Sequence, residues 1–388
     1  MADADVIHSF LSFSRRGRWR ACPGSVRLSK GLTDKSSANA KEGSDAHKIK
    51  EMVMGRKLRV GSDPDAPFPK IDRPVAELEE MMRHANDYVV FVRTFIDGYP
   101  DAIVLEEQKV DASALHPALF GTADTIIWIP SIRKLIVIDY KYGFRAVDVG
   151  TVEDTNPQLA AYGVSAALML MSAQGVAPAE IVLAVAQPRL PLGERYPQLH
   201  IPDAPSWLQV ESEKMRTEAL ATEDPNAPLV PGDHCRYCKA AMHGKCPAVK
   251  QYVGTALNVA AGTVALLDIP TDELLALYSA RSAFKPFLEE IEARVEQLAK
   301  VGHARLQVTV VKGRQMWADP KSAAMTLLAI GRADLVQPVA LSDALPALPT
   351  ELHGALVKRT APSSRIKVVD APHVKDVAKM FDKYTKNV

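Results

Sequence analysis

Asp139 and Lys141 close the run KLIVIDYKYG, which spans Lys134 to Gly143. Alternate side chains of an extended strand share a face, so a carboxylate and an ammonium stand side by side at the end of an apolar stretch that has to be hidden. The segment before it, FGTADTIIWI at 120–129, carries a second carboxylate, Asp124. If the two segments form a hairpin turning at Pro130 to Arg133, Asp124 falls opposite Asp139. Directly opposed residues have Cβ atoms about 5 Å apart, and two like charges there repel unless a cation lies between them. An oxygen-lined site beside a lysine suits a hard divalent ion, Mg2+ or Mn2+, and an anionic reacting group such as phosphate.

An acid-x-lysine triplet alone is a weak signal, and a surface ion pair at a strand end competes with it. Glu107-Gln108-Lys109 has the same pattern but lies before the only partner carboxylate in the meander, so it is expected to stand outside the site. Asp319-Pro320-Lys321 reads instead as a helix cap followed by proline at the first helical position. A second kind of chemistry is carried by sulfur. Cys235, Cys238 and Cys246 crowd into HCRYCKAAMHGKCP, while Cys22 sits far upstream in RWRACPGS. Clustered C-x2-C spacing points to metal ligands rather than disulfides. Cys235, Cys238, His243 and Cys246 could hold Zn2+ locally, without Cys22.

These residues need a scaffold. SANAKEGSDAHKIKEMVM (37–54) and the segment from Pro74 to Asp97 have helical patterns, the second with proline in its first turn. AIVLEEQKV, FGTADTIIWI and KLIVIDYKYG read as successive strands, NPQLAAYGVSAALMLM as a helix and IVLAVAQPRL as a further strand. Pro-rich TEDPNAPLVPGD is a loop leading into the cysteines. Helix, strand meander, helix, strand predicts a mixed α/β core.

The 388 residues are 47% hydrophobic and 24% charged, enough for two domains or one large domain with an appendage. Lys plus Arg at 47 against Asp plus Glu at 46 leaves a net charge of +1, so a nucleic-acid surface has to be local. The most apolar helical stretch, 159–171, is too short for a membrane span. The N-terminus lacks the basic start and apolar core of a secretory signal, which predicts a cytoplasmic protein without a membrane partner.

Taken in order, EGSDAH, GTAD, VIDYKYG and QLAAY resemble the motif series of RecB-like nucleases in the PD-(D/E)XK superfamily. The resemblance implies a restriction-endonuclease-like core, a mixed sheet flanked by helices. It implies metal binding by His47, Asp124 and Asp139, with Lys141 as catalytic lysine. Gln158 and Tyr162 match its Gln-x3-Tyr motif and, at i and i+4, share one helix face. Asp139 stands where many members have Glu. One subgroup, which includes CRISPR-associated exonucleases, places one cysteine before the core and three after it to hold a [4Fe-4S] cluster. Cys22, Cys235, Cys238 and Cys246 reproduce that order, so the cluster would staple the two ends of the domain. Five motifs in order cover roughly Ser12 to Val249 and are far more specific together than singly.

The implied protein is a Mg2+- or Mn2+-dependent deoxyribonuclease of a bacterium or phage. It would act on single-stranded or end-containing DNA in recombination, repair or phage replication, with a helicase or annealing protein as a further partner. The other class is a zinc or iron–sulfur DNA-binding module without catalysis. The arginines of SRRGRWRACPGSVRLSK, with Trp19 among them, offer phosphate-pairing charge and a base-stacking ring for incoming DNA. Residues 1–252 are expected to form the nuclease domain and 253–388 an α+β accessory domain that positions DNA or a partner. In the latter, Phe284, Leu288, Ile291, Val295 and Leu298 form an apolar helical stripe that should be covered, and ARLQVTVVKGRQMWAD reads as a hairpin turning at 312–314.

Overall fold

The computed structural model describes residues 10–33, 38–260, 269–279, 281, 284–302, 304, 306–311, 315–317, 320–330, 332, 352, 357–359 and 363–368. Two short helices, α1 (Arg16–Ala21) and α2 (Gly24–Ser29), precede the long α3 (Ala38–Leu58) and α4 (Val75–Ile96). Next come β1 (Ile103–Asp111), β2 (Phe120–Ile129), β3 (Lys134–Tyr140), α5 (Pro157–Gln174), β4 (Glu180–Ala186), β5 (Gln198–Ile201) and α6 (Ala204–Ala221). The cysteine region holds α7 (Lys239–Met242) and α8 (Pro247–Ala260), followed by α9 (Thr271–Ser279) and α10 (Phe284–Lys300). Beyond them lie β6 (Leu306–Val311), β7 (Gln315–Trp317), α11 (Pro320–Ala329), β8 (Val357–Arg359) and β9 (Ser363–Val368).

Strands β1 to β5 form one mixed sheet in that order. The first three make an antiparallel meander, β3 and β4 are parallel, and β5 returns antiparallel. A parallel neighbour requires a crossover, and α5 supplies it. Its start is set by Asn156, whose side chain accepts from the Gln158 and Leu159 N–H groups, and its end by Gly175 at φ 70°. The hairpin between β2 and β3 turns through Arg133 at φ 48°.

Helices cover both faces, which is why β3 is apolar without alternation. Leu135 and Val137 pack toward α5 and α6, together with Trp19 of α1. Ile136, Ile138 and Tyr140 pack toward α3 and α4. The molecule is therefore α/β, with a five-stranded mixed sheet between helical layers.

The chain divides between Phe287 and Leu288 into two compact units. In the second, β6 pairs with β9 and β7 with β8, in separate two-stranded sheets. The expected hairpin of 306–317 is thus replaced by pairing with strands about 50 residues downstream; its turn residues lie outside those described. The stripe on α10 is covered only in part: Phe284 packs against the cysteine core and Val295 and Leu298 are half-buried, whereas Leu288 and Ile291 remain 51% and 44% exposed.

Candidate functional site

The register between β2 and β3 runs Ile126↔Val137, Thr125↔Ile138, so its next step sets Asp124 against Asp139. Between β1 and β2 the pairs Glu106↔Thr125 and Gln108↔Ala123 bracket Glu107 and Asp124 in the same way. Three carboxylates therefore share one level across three strands spaced about 4.8 Å apart. The backbone is irregular there. Leu105, Ile126 and Trp128 face the same helical layer as Val110 and Ala123, so the alternation of both strands reverses at this level. Glu107 has φ 47°, a conformation costly for a residue with a Cβ. The reversal brings Glu107 and Asp124 toward α3.

There they meet His47, whose Nδ1 lies 3.6 Å from Asp124 Oδ1 and 3.8 Å from Glu107 Oε1. One ligand atom from each of His47, Glu107 and Asp124 falls within 4.8 Å of the others, and all three residues are partly accessible. Burial opposes the His47 charge, but the carboxylates of Asp124 and Glu107 outweigh it and raise the pKa. Burial likewise pushes the Glu107 carboxyl up, yet His47 and Lys50 bring it down to about 2. Lys50 is fully buried and lies 2.8 Å from Glu107 Oε1 and 2.5 Å from Glu106 Oε1, the latter off a hydrogen-bonding direction. Thr125 donates to Glu106 Oε2 at 2.7 Å and pairs with the Tyr88 hydroxyl at 2.6 Å. A buried polar network thus supports the acidic row from below.

Asp139 faces the α5 side. Its carboxylate accepts from Lys141 Nζ at 3.0 and 2.8 Å and from Gln158 Nε2 at 2.9 Å. Tyr162 follows Gln158 one helical turn on in α5, and its ring packs edge-on against Phe13. Asp124 Oδ2 accepts from the Tyr140 N–H at 2.6 Å, which fixes it beside Asp139. Burial raises the Asp139 pKa, with Asp124 adding to the effect. Burial opposes the Lys141 charge too, but Asp139 and Asp124 prevail and hold it protonated.

The structure thus brings His47, Asp124, Asp139, Lys141, Gln158 and Tyr162 to one region, but of the expected metal ligands only His47 and Asp124 fall within the 4.8 Å group, Asp139 standing outside it; two residues are added. Glu107 belongs to the triplet expected to stand outside the site. Its opposition to Asp124 follows from the β1–β2 register, which the loop between those strands left open to sequence reading. Lys50 gave no signal of its own beyond sitting three residues after His47. His84 and His116 are engaged elsewhere, with Tyr142 and Glu223.

The four cysteines are free and buried, and three of them join Ala240, Ala241, Val249 and Val253 in a small separate core. Cys22 reaches this region because Gly24 abuts the loop at 227–229, its N–H donating to Pro228 O at 3.1 Å. Backbone N–H groups point at sulfur: Val230 to Cys22 at 3.3 Å and Gly232 to Cys235 at 3.4 Å. Burial raises the thiol pKa of Cys22 and Cys246, and it takes Cys235 to about 11. No three of these sulfurs, nor two with a His243 nitrogen, lie within 4.8 Å of one another. His243 instead contacts Thr33 O at 3.1 Å.

The arginine-rich segment is turned inward in part, leaving Arg20 and Arg27 exposed. Trp19 is fully buried with its indole N–H on Ser12 O, so it offers no face to a base. Arg16 is also fully buried, between Glu211 and Glu218 of α6 at 2.8 and 2.9 Å. Arg18 is buried and donates to Ser29, and Arg20 pairs with Asp154. Composition could not distinguish a basic face from cations packed against α6.

Fold and site together define an α/β protein with a candidate centre for a hard cation on its sheet and a buried four-thiol cluster. Over residues 8–369 the chain matches the family described as "Protein of unknown function (DUF2800)", and it belongs to that family. No helix among the described residues is long and apolar enough to cross a membrane.

Proposed function

We propose that the protein is a metal-dependent deoxyribonuclease with a RecB-like PD-(D/E)XK core. The observation that carries this reading is the group His47, Glu107 and Asp124 on the α3 side, with Asp139 and its partner Lys141 on the neighbouring strand position opposite Asp124. Glu107 and Asp124 stand close enough beside His47 for their repulsion to be relieved by a bound divalent cation. The donor set of carboxylate oxygens and one imidazole fits Mg2+ or Mn2+. When bound, such an ion would polarise a phosphodiester and acidify a water.

The chain's own residues supply the rest. Lys141 enters as a cation, so it can orient the attacking water or offset charge on a phosphate oxygen, but it holds no free pair to accept a proton. Gln158 fixes the Asp139 carboxylate that holds Lys141. Product formation breaks the bond between phosphorus and one ester oxygen while the water oxygen joins phosphorus.

The thiols fit an iron–sulfur cluster better than zinc. A tetrahedral ion with about 2.3 Å bonds to sulfur draws its ligands to roughly 3.8 Å from one another, whereas no three of these sulfurs come within 4.8 Å of one another. N–H groups aimed at sulfur suit thiolates of a larger cluster. It would tie Cys22 to Cys235, Cys238 and Cys246 across the domain.

The test is incubation of end-labelled linear DNA, single-stranded and duplex, with Mn2+ or Mg2+. Expected is degradation that favours single strands and is abolished by Asp139→Asn or Lys141→Ala, with DNA binding largely kept. Cleavage by either variant at the parental rate would sink the assignment. DNA binding without cleavage by the parent would favour a non-catalytic binding module. Protein purified without oxygen should be brown, absorbing near about 400 nm; colourless protein with stoichiometric zinc would overturn the cluster.

A further inference from the structure

Three residues beyond Lys141 the chain presents Phe144, which is 67% exposed. Single exposed apolar residues are ordinary, but this one is held in place from behind. The Arg189 guanidinium lies 3.7 Å from the centre of its ring and 4.7 Å from that of Tyr142. Arg189 is in turn fixed by Glu42 at 2.9 Å, Glu80 at 3.5 Å and the Tyr142 carbonyl at 3.3 Å. The result is a stack of Tyr142, Arg189 and Phe144 whose inner layers are shielded and whose outer ring is open.

The loop itself is clamped. Gln187, 1% exposed, donates to the Arg145 carbonyl at 2.8 Å and accepts from the Val147 N–H at 2.7 Å. Two links put the ring near the acidic row. Three residues of chain reach no more than about 10 Å from Lys141. Glu42 sits five residues before His47 on α3, about 7.5 Å along the axis.

We propose that Phe144 is a stacking platform for an unpaired base of single-stranded DNA whose backbone lies at the metal centre. The inference rests on the nuclease reading and names the form of substrate its site takes. A flat ring backed by a cation offers its free face to any base, whereas bases inside a duplex already have both faces covered. Arg145, exposed beside it, is placed to meet a phosphate. Arg189 and Gln187 act only as positioning residues.

The experiment measures binding of labelled oligo(dT) to the full-length protein in EDTA, with relaxed closed-circular duplex as comparison. Phe144→Ala should weaken oligo(dT) binding about tenfold, the lower part of the range for losing one stacked base. Duplex affinity and Tm should be unchanged. Phe144→Trp should restore binding and Phe144→Leu should not. Equal oligo(dT) affinity for Phe144→Ala and parent, or equal loss on duplex, would overturn the proposal. So would a fall in Tm with oligo(dT) binding intact, which marks a mere cover for Arg189. Oligo(dT) binding that depends on Phe144 with no Mn2+-dependent cleavage would remove the nuclease reading alone. Cleavage with Phe144 immaterial would remove only the platform.

Discussion

Glu107 and Lys50 make opposite contributions to the same site. Glu107 keeps its charge next to Asp124 because His47 and the buried Lys50 hold it down to about 2. As a ligand it should be indispensable: Glu107→Gln is expected to weaken Mn2+ binding by about tenfold or more, read by calorimetry, with Tm little changed. Unchanged Mn2+ affinity would leave His47, Asp124 and Asp139 as the ligand set. Lys50 instead compensates buried acid, since its ammonium contacts Glu106, whose side chain is 1% exposed. Lys50→Met strands that carboxylate and should cost roughly 3–5 kcal/mol in denaturant unfolding. Adding Glu106→Leu should recover much of the loss, because two apolar replacements leave no unpaired charge; no recovery would place the role of Lys50 with Glu107 alone. At this scale the sequence exposed residues with a spacing signature: Asp139 and Lys141 at i and i+2, and Gln158 and Tyr162 at i and i+4. It concealed Lys50, whose partners come from strand pairing more than 50 residues away.

Elements explain which expectations survived. The β2–β3 hairpin was legible because a four-residue turn leaves one register in which both apolar runs stay buried, and that register sets Asp124 against Asp139. The 306–317 hairpin was misread because turn chemistry and alternation say where a strand can bend, not whether a distant strand will pair more favourably. β5 and α6 passed unnoticed, the former only four residues long and the latter broken in pattern by charges that serve Arg16. The junction of α2 with the 227–229 loop is held by close approach. A Cβ on Gly24 would stand 2.5 Å from Ala227 O and 2.9 Å from Pro228 O, both backbone atoms that cannot swing away. Gly24→Ala should therefore cost about 1–3 kcal/mol and pull Cys22 from the other three cysteines. Iron content and absorbance near about 400 nm should fall together with Tm. A variant that keeps full iron content would show that Cys22 is held independently of this junction.

For the whole molecule, the question is where the first unit can be cut. Both large cores draw only on residues between Leu11 and Ala219, and every candidate catalytic side chain lies within that span. The cysteine core extends further, through Val253, and Phe284 packs against it, its ring 5.2 Å from that of Tyr252. A chain ending at 252 therefore removes two apolar side chains from the cysteine core, whereas one ending at 287 keeps both. Burial of a side chain of this kind is worth about 1.5–3 kcal/mol. The longer fragment should melt close to the full-length protein by circular dichroism and keep its absorbance near about 400 nm. The shorter one should retain the secondary structure of the sheet domain but lose the cluster more readily on exposure to air. Cutting of short single strands should persist in the 287-residue fragment, since its metal row, Lys141 and the Phe144 ring are all present. Equal cluster retention by the two fragments would mean that Val253 and Phe284 do not protect the thiols, and an unfolded 287-residue fragment would mean that the first unit depends on the second.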